Sequence, residues 1–146
     1  MRVAIGSDHG GFKLKEVIKE YLIEKGYKVD DLGCYSEESV DYPDFALKVA
    51  NAVAGGEYEF GVLMCGTGIG ISIAANKVKG IRAALCHDGL TARLAKQHNN
   101  ANIICMGGRT TGIETAKDII DNFISNSFEG GRHLRRINKI KDMENS

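Results

Sequence analysis

Proline occurs once in the 146 residues, at Pro43, and no tract is repetitive, Pro-rich or of low complexity. Nothing therefore marks a linker, and one domain spanning residues 1–146 is expected. Charge of either sign in excess is also missing, because nineteen Lys plus Arg offset nineteen Asp plus Glu. No global field would draw in nucleic acid or an anionic membrane, so an anionic ligand must be met by locally clustered cations. Long apolar runs are absent. The opening Met-Arg-Val-Ala-Ile-Gly holds no apolar stretch of signal-peptide length, and no segment approaches membrane-spanning length. A soluble, cytoplasmic protein without nucleic-acid or membrane partners is expected. The four cysteines, Cys34, Cys65, Cys86 and Cys105, form no C-x-x-C pair. No His/Cys/Asp/Glu grouping has metal-ligand spacing, so neither disulfides nor a metal cofactor is expected. Cys86 and Cys105 sit in or beside apolar runs and read as small buried hydrophobes.

What is present is the composition of an ordinary globular protein, 43% hydrophobic and 26% charged. Short apolar runs recur at Val3-Ala4-Ile5, Val62-Leu63-Met64, residues 81–85 and residues 103–106. Runs without alternation suit parallel strands covered on both faces. Residues 27–32 form a more polar candidate, nearer an edge. Between the runs, Leu14, Val17, Ile18, Tyr21 and Leu22 make one helical stripe, with Gly26 as its stop. Ala46, Val49, Ala50 and Val53 make another behind Pro43, a first-turn proline. Ala116, Ile119, Ile120, Phe123 and Ile124 make a third. Alternation of this kind predicts a three-layer, Rossmann-like α/β domain with a parallel five-stranded sheet and a C-terminal helical tail at about 131–142.

Ligands of such sheets bind at the carboxyl ends of strands. There stand Gly6-Ser7-Asp8-His9-Gly10-Gly11, then Cys65-Gly66-Thr67-Gly68-Ile69-Gly70, then His87-Asp88, then Gly107-Gly108-Arg109. The segment from Gly66 to Gly70 opens a helix, so its amides can turn inward on an anion. Its G-x-G-x-G spacing is not the dinucleotide G-x-G-x-x-G, although Asp88 lies at a suitable distance downstream. A purely structural tight turn is the other alternative. Cys65 stands at the mouth of this loop, where a helix N-terminus favours a thiolate, suited to a nucleophile or a proton-transfer base. An enolising base fits the adjacent N–H groups better than a Cys–His hydrolase does. In the tail, Arg132 and Arg136 are four apart, on one helix face, and can grip a phosphate, while Leu134 and Ile137 can dock the helix. A solvated basic helix is the plainer alternative. His98 and Asn99 end a helix, where cationic histidine is favoured and a general acid can act.

Taken together, Ser7-Asp8-His9-Gly10-Gly11, Asp41-Tyr42-Pro43-Asp44, Cys65-Gly66-Thr67-Gly68-Ile69-Gly70, His98-Asn99, Gly107-Gly108-Arg109 and Arg132 with Arg136 resemble the type B ribose-5-phosphate isomerases. The resemblance runs in order along essentially the whole chain. It implies a cofactor-free isomerase interconverting ribose 5-phosphate and ribulose 5-phosphate in the pentose phosphate pathway. It implies Cys65 as base on carbon 2 and Thr67 as an aid to proton movement between the oxygens. The amides of Gly66, Gly68, Ile69 and Gly70 would hold the enediolate. His98, aided by Asp8, would open the furanose ring, with Asn99 on the sugar. Arg132, Arg136 and His9 would take the phosphate, with Arg109 close by and Tyr42 lining the pocket. Some members use a glutamate five residues after this cysteine position; here Gly70 stands there, which favours Cys65. Allose 6-phosphate or galactose 6-phosphate is the alternative substrate, and a non-catalytic sugar-phosphate-binding module the alternative function.

His98 precedes the strand at Ile103, whereas Cys65 ends its own strand. The two are thus expected at opposite edges of one sheet, and a homodimer with shared active sites, possibly paired into a tetramer, is expected.

Overall fold

The computed structural model describes all residues, Met1–Ser146. The strands are β1 (Arg2–Ser7), β2 (Lys28–Asp31), β3 (Phe60–Cys65), β4 (Ala83–Leu85) and β5 (Ile103–Gly107). The helices are α1 (Phe12–Glu24), α2 (Tyr42–Ala54), α3 (Ile69–Ala75), α4 (Gly89–Asn99), α5 (Ile113–Ile124) and α6 (Arg132–Glu144), with a 3₁₀ turn at His9–Gly11. All strand pairs are parallel, in the order β2-β1-β3-β5-β4. This is the three-layer α/β arrangement expected, with the polar strand β2 at an edge. No helix is long and apolar enough to cross a membrane.

The apolar runs are continuous because successive residues of a central strand serve two cores. Val3, Ile5, Val62, Met64, Ile104 and Met106 pack with Leu14, Ile18 and Leu22 of α1, Ala92 and Ala95 of α4, and the α5 stripe. Ala4, Leu63, Cys65, Ile103 and Cys105 pack with Ala46, Val49, Ala50 and Val53 of α2 and with Ile71 and Ala75 of α3. Complete burial of a large aliphatic side chain contributes about 1.5–3 kcal/mol, so both faces hold the sheet in register. Chain direction then reverses its sense of travel between β1 and β3. The loop after β1 feeds α1 on one face, while the loop after β3 feeds α3 on the other. A crevice opens between them.

Two local readings need correction, and one buried charge adds to them. The fourth strand begins at Ala83, not Ile81. Asn76 donates to and accepts from Ala83 (2.9 and 2.8 Å), and Arg82 N–H bonds to Asn102 Oδ1 at 2.8 Å, so side chains hold the approach to it. On α6 only Ile137 is buried; Leu134 is half exposed. The far end of that helix is held instead by Glu144, whose carboxylate accepts the Gly80 N–H at 3.1 and 3.0 Å. Lastly, Lys15 is fully buried within the α1 stripe. Its ammonium meets Asp31 at 2.5 Å and Glu16 at 3.1 Å, tying α1 to the end of β2.

Candidate active site

Three loops meet backbone to backbone at the carboxyl edge, and glycine permits it. A Cβ on Gly108 would collide with the Gly10 carbonyl oxygen, and one on Gly10 would lie 3.0 Å from the Gly66 nitrogen. Hydrogen bonds fix the approach. Gly108 N–H donates to Cys65 O at 2.8 Å, Arg109 N–H to Gly66 O at 2.9 Å, and Asp8 N–H to Met64 O at 3.1 Å. The predicted residues Asp8, His9, Cys65, Gly66, Thr67, Gly68, Ile69, Gly70 and Arg109 are thereby gathered around the crevice. Tyr42, the first residue of α2, joins them, since its ring occupies the space a side chain at Gly70 would need, with Cζ 2.6 Å from the Cβ position.

Cys65 is buried at the last position of β3. Its Sγ accepts the Gly68 N–H at 3.1 Å. Gly68 has φ 78°, and this left-handed turn points its amide back at the sulfur while starting α3. Such a hydrogen bond strengthens as the acceptor gains negative charge. Thr67 Oγ1 accepts the Ile69 N–H at 3.2 Å. Asp8 spends one carboxylate oxygen on capping the 3₁₀ turn, accepting Gly10 N–H at 2.9 Å and Gly11 N–H at 3.1 Å; the other takes no protein hydrogen bond. His9 Nδ1 accepts the Val40 N–H at 3.1 Å. That contact assigns the neutral ring's proton to Nε2, leaving a donor for a ligand.

Asp88 has a structural task at the start of α4. Its carboxylate caps α4, accepting Thr91 N–H at 2.7 Å and Thr91 Oγ1–H at 2.8 Å. The acid downstream of the glycine loop thus serves, through one oxygen, as a helix cap.

The remaining predicted residues form a second cluster. His98 and Asn99 end α4, before β5 begins, whereas Cys65 pairs with Gly107 at the far end of β5. A strand of five residues separates them, about 13 Å at ~3.3 Å per residue. The His98 ring stacks on His133 of α6, with centroids 4.3 Å apart and planes 10° from parallel. Glu129 Oε1 lies 3.6 Å from His98 Nε2 and 3.7 Å from His133 Nε2. Arg132 and Arg136 occupy the same helix as His133. Burial, with His98 and Arg132 nearby, holds the His133 pKa below its ordinary value. A groove of about 640 Å³ lies at this edge too. Asn99, Arg82, Ile140 and Met143 line it, and no residue of the Cys65 loop does. Neither Glu129 nor His133 stood out as a site residue in the sequence. Their (i, i+4) spacing around Gly130-Gly131 is the only local signal, and the approach to His98 is tertiary.

The family model described as Ribose/Galactose Isomerase matches residues 3–140. Ribose-5-phosphate isomerase B of Escherichia coli is 49% identical over 143 residues, covering 98% of this chain and 96% of that one. The solved structure of ribose-5-phosphate isomerase B from Clostridium thermocellum superposes with a TM-score of 0.98 at 52% identity, covering 99% of this chain and 98% of the other. Ribose-5-phosphate isomerase B from Mycoplasma genitalium, solved with bound ribulose-5-phosphate, gives a TM-score of 0.95 at 46% identity, covering 99% and 97%. Matched across nearly its whole length in both sequence and fold, the chain belongs to the ribose/galactose isomerase family.

Proposed function

We propose that this isomerase interconverts ribose 5-phosphate and ribulose 5-phosphate through an enediolate, as a cytoplasmic enzyme of the pentose phosphate pathway that needs no metal for the reaction. The observation that carries the reading is the Cys65 sulfur. It is held at the crevice by the Gly68 amide at 3.1 Å, in the loop that opens α3. Isomerisation needs a base over carbons 1 and 2, donors for the developing oxyanion, and a phosphate handle that supplies remote binding energy.

His98 delivers a proton to the ring oxygen as the bond from that oxygen to the anomeric carbon breaks, while the anomeric hydroxyl gives its proton to the open carboxylate oxygen of Asp8; Asn99 holds the sugar. Cys65 then takes the proton from carbon 2, giving an enediolate that the loop amides stabilise. Thr67 helps move a proton between the two oxygens, and reprotonation at carbon 1 completes the ketose. Arg132, Arg136 and His9 bind the phosphate, with Arg109 beside them and Tyr42 against the sugar.

Because His98 and Cys65 lie at opposite sheet edges, one subunit does not offer both to one five-carbon sugar. A twofold homodimer, alone or paired into a tetramer, would bring the His98 cluster of one subunit to the Cys65 loop of the other. Inactive Cys65→Ala and His98→Ala proteins should regain partial activity when mixed under conditions that exchange subunits. Heterodimers that form yet stay inactive would refute the shared site.

The activity itself is tested by NMR of ribose 5-phosphate in deuterated water with excess chelator. Formation of ribulose 5-phosphate with deuterium incorporated, lost in Cys65→Ala, is expected. Turnover of allose 6-phosphate or galactose 6-phosphate in its place would move the assignment to a six-carbon sugar. Binding of sugar phosphates without exchange would leave a binding module.

A further inference from the structure

The geometry around Glu129 points to a use of the second cluster beyond proton transfer: we propose that His98, Glu129 and His133 form a site for a divalent transition-metal ion such as Zn²⁺, and that occupancy inhibits the enzyme. The inhibition, though not the binding, rests on the reading of His98 as the ring-opening acid.

The three side chains come from separate elements locked to one another. His98 lies in the last turn of α4, and the segment joining α5 to α6 returns past it, where Glu129 N–H donates to Gln97 O at 3.0 Å. That bond seats the Glu129 carboxylate beside His98, and His133 follows one turn later on α6. One ligand atom from each residue lies within 4.8 Å of the others. Tetrahedral zinc with bonds of about 2.0–2.1 Å needs donor-to-donor edges of roughly 3.4 Å. Both imidazole-to-carboxylate edges, 3.6 and 3.7 Å, are already within a few tenths of that.

Closure around an ion asks for one movement. The stacked rings carry their lone pairs side by side, so one must turn for both to face the same point. The His98 side chain, 40% exposed, has room to turn about its own torsions without backbone displacement. Two imidazoles and one carboxylate suit borderline ions such as Zn²⁺, Co²⁺ and Ni²⁺, with a fourth position left for water; hard ions such as Mg²⁺ prefer all-oxygen sets. Arg132 and Arg136 on the same helix oppose a cation, and Glu129 supplies the compensating anion between the rings. An ion here occupies the nitrogen of His98 and withdraws it from the sugar.

The test begins with full-length protein freed of metal by a chelator and titrated with Co²⁺, whose tetrahedral complexes absorb in the visible. A visible band that Zn²⁺ displaces is expected. Glu129→Gln and His133→Ala should each weaken Co²⁺ binding at least about tenfold, on the scale of metal-site perturbations. Zn²⁺ should inhibit turnover of ribose 5-phosphate, excess chelator should restore it, and both variants should resist Zn²⁺ by the same factor. No Co²⁺ binding, or a thiolate-to-cobalt charge-transfer band that assigns the ion to Cys65, overturns the site. Bound Co²⁺ with undiminished turnover overturns the inhibitory role. Metal-free His98→Ala with wild-type turnover would refute the ring-opening role of His98 while leaving the cobalt titration to judge the site on its own.

Discussion

Gly68 has φ 78° and donates its N–H to Cys65 Sγ. An alanine there would place its Cβ 2.6 Å from Leu85 Cδ1 and 2.8 Å from the carbonyl carbon of Met106. The leucine tip can turn aside, but Met106 is backbone in the middle of the β3–β5 pairing and cannot. Gly56 offers a matched control, with φ 86° and nothing within 4 Å of its Cβ position. Gly56→Ala therefore measures left-handed strain alone, about 1–2 kcal/mol. Gly68→Ala adds overpacking of about 1–3 kcal/mol. Its total of about 3 kcal/mol corresponds to a Tm lower by roughly 6–12 °C for a chain of this size. Relief of the contact moves the amide away from the sulfur. Loss of a hydrogen bond to a charged acceptor costs about 1.5–3 kcal/mol; it disfavours the thiolate form of Cys65 that must take the carbon-2 proton, and lowers kcat at neutral pH by up to roughly 10–150-fold. Thermal unfolding and turnover of ribose 5-phosphate, measured on wild type and both variants, separate the two effects. Gly56→Ala should lose a few degrees and keep its kcat, whereas Gly68→Ala should lose both. Equal kcat in the two variants would refute the catalytic use of the amide, and equal Tm would refute the contact argument.

Asp31→Asn should cost about 3 kcal/mol by leaving the buried Lys15 ammonium without its main partner, read as a fall in Tm. Burial alone would push the Asp31 carboxyl up, but Lys15, the Gly33 N–H and Lys19 outweigh it and hold the pKa below the ordinary value. This stabilisation is present above the ordinary carboxylate range and is lost as pH falls through the lowered folded value, so the two proteins should converge in acid. Iodoacetamide followed by mass spectrometry should modify Cys65 first at neutral pH, with inorganic phosphate protecting it. Burial pushes the Cys86 thiol up to about 11 and the Cys105 thiol well above its ordinary value, so both should react only after unfolding. Labelling of Cys86 as fast as Cys65 would count against this. Arg132→Ala should lower kcat/KM for ribose 5-phosphate roughly 10–150-fold, the worth of a charge-assisted hydrogen bond, with Tm unchanged because the side chain stands on the exposed face of α6. A lowered Tm with unchanged kcat/KM would reduce α6 to a solvated helix.

Much of the architecture was legible because the signals are local. A run such as Val62-Leu63-Met64 is apolar at every position only if both faces are covered, and that implies a central parallel strand. Strand ends then indicate the ligand-binding edge, and Asp8, Cys65 and Arg109 follow from their places at or just after those ends. Asp41-Tyr42-Pro43 marked the start of α2, although the reason Tyr42 belongs at the site became visible only when its ring filled the space beside Gly70. Lys15 shows the opposite case. By residue type it should face water, but it is buried because Asp31, at the end of a neighbouring strand, meets it there. Leu134 reads as a docking residue by type and remains half exposed, because α6 lies on the surface and buries only Ile137.

Which segments become strands and helices, and on which edge of the sheet each loop emerges, depends on periodicity and residue type within a few neighbours and can be read along the chain. Which loops touch is a matter of packing. The approach of Gly10, Gly66 and Gly108, the hydrogen bond from Gly68 to Cys65 and the meeting of His98 with Glu129 and His133 depend on crossover and helix packing between residues distant along the chain. Those distances are set by how two cores close on one sheet, a property of the packed whole that no window of sequence contains.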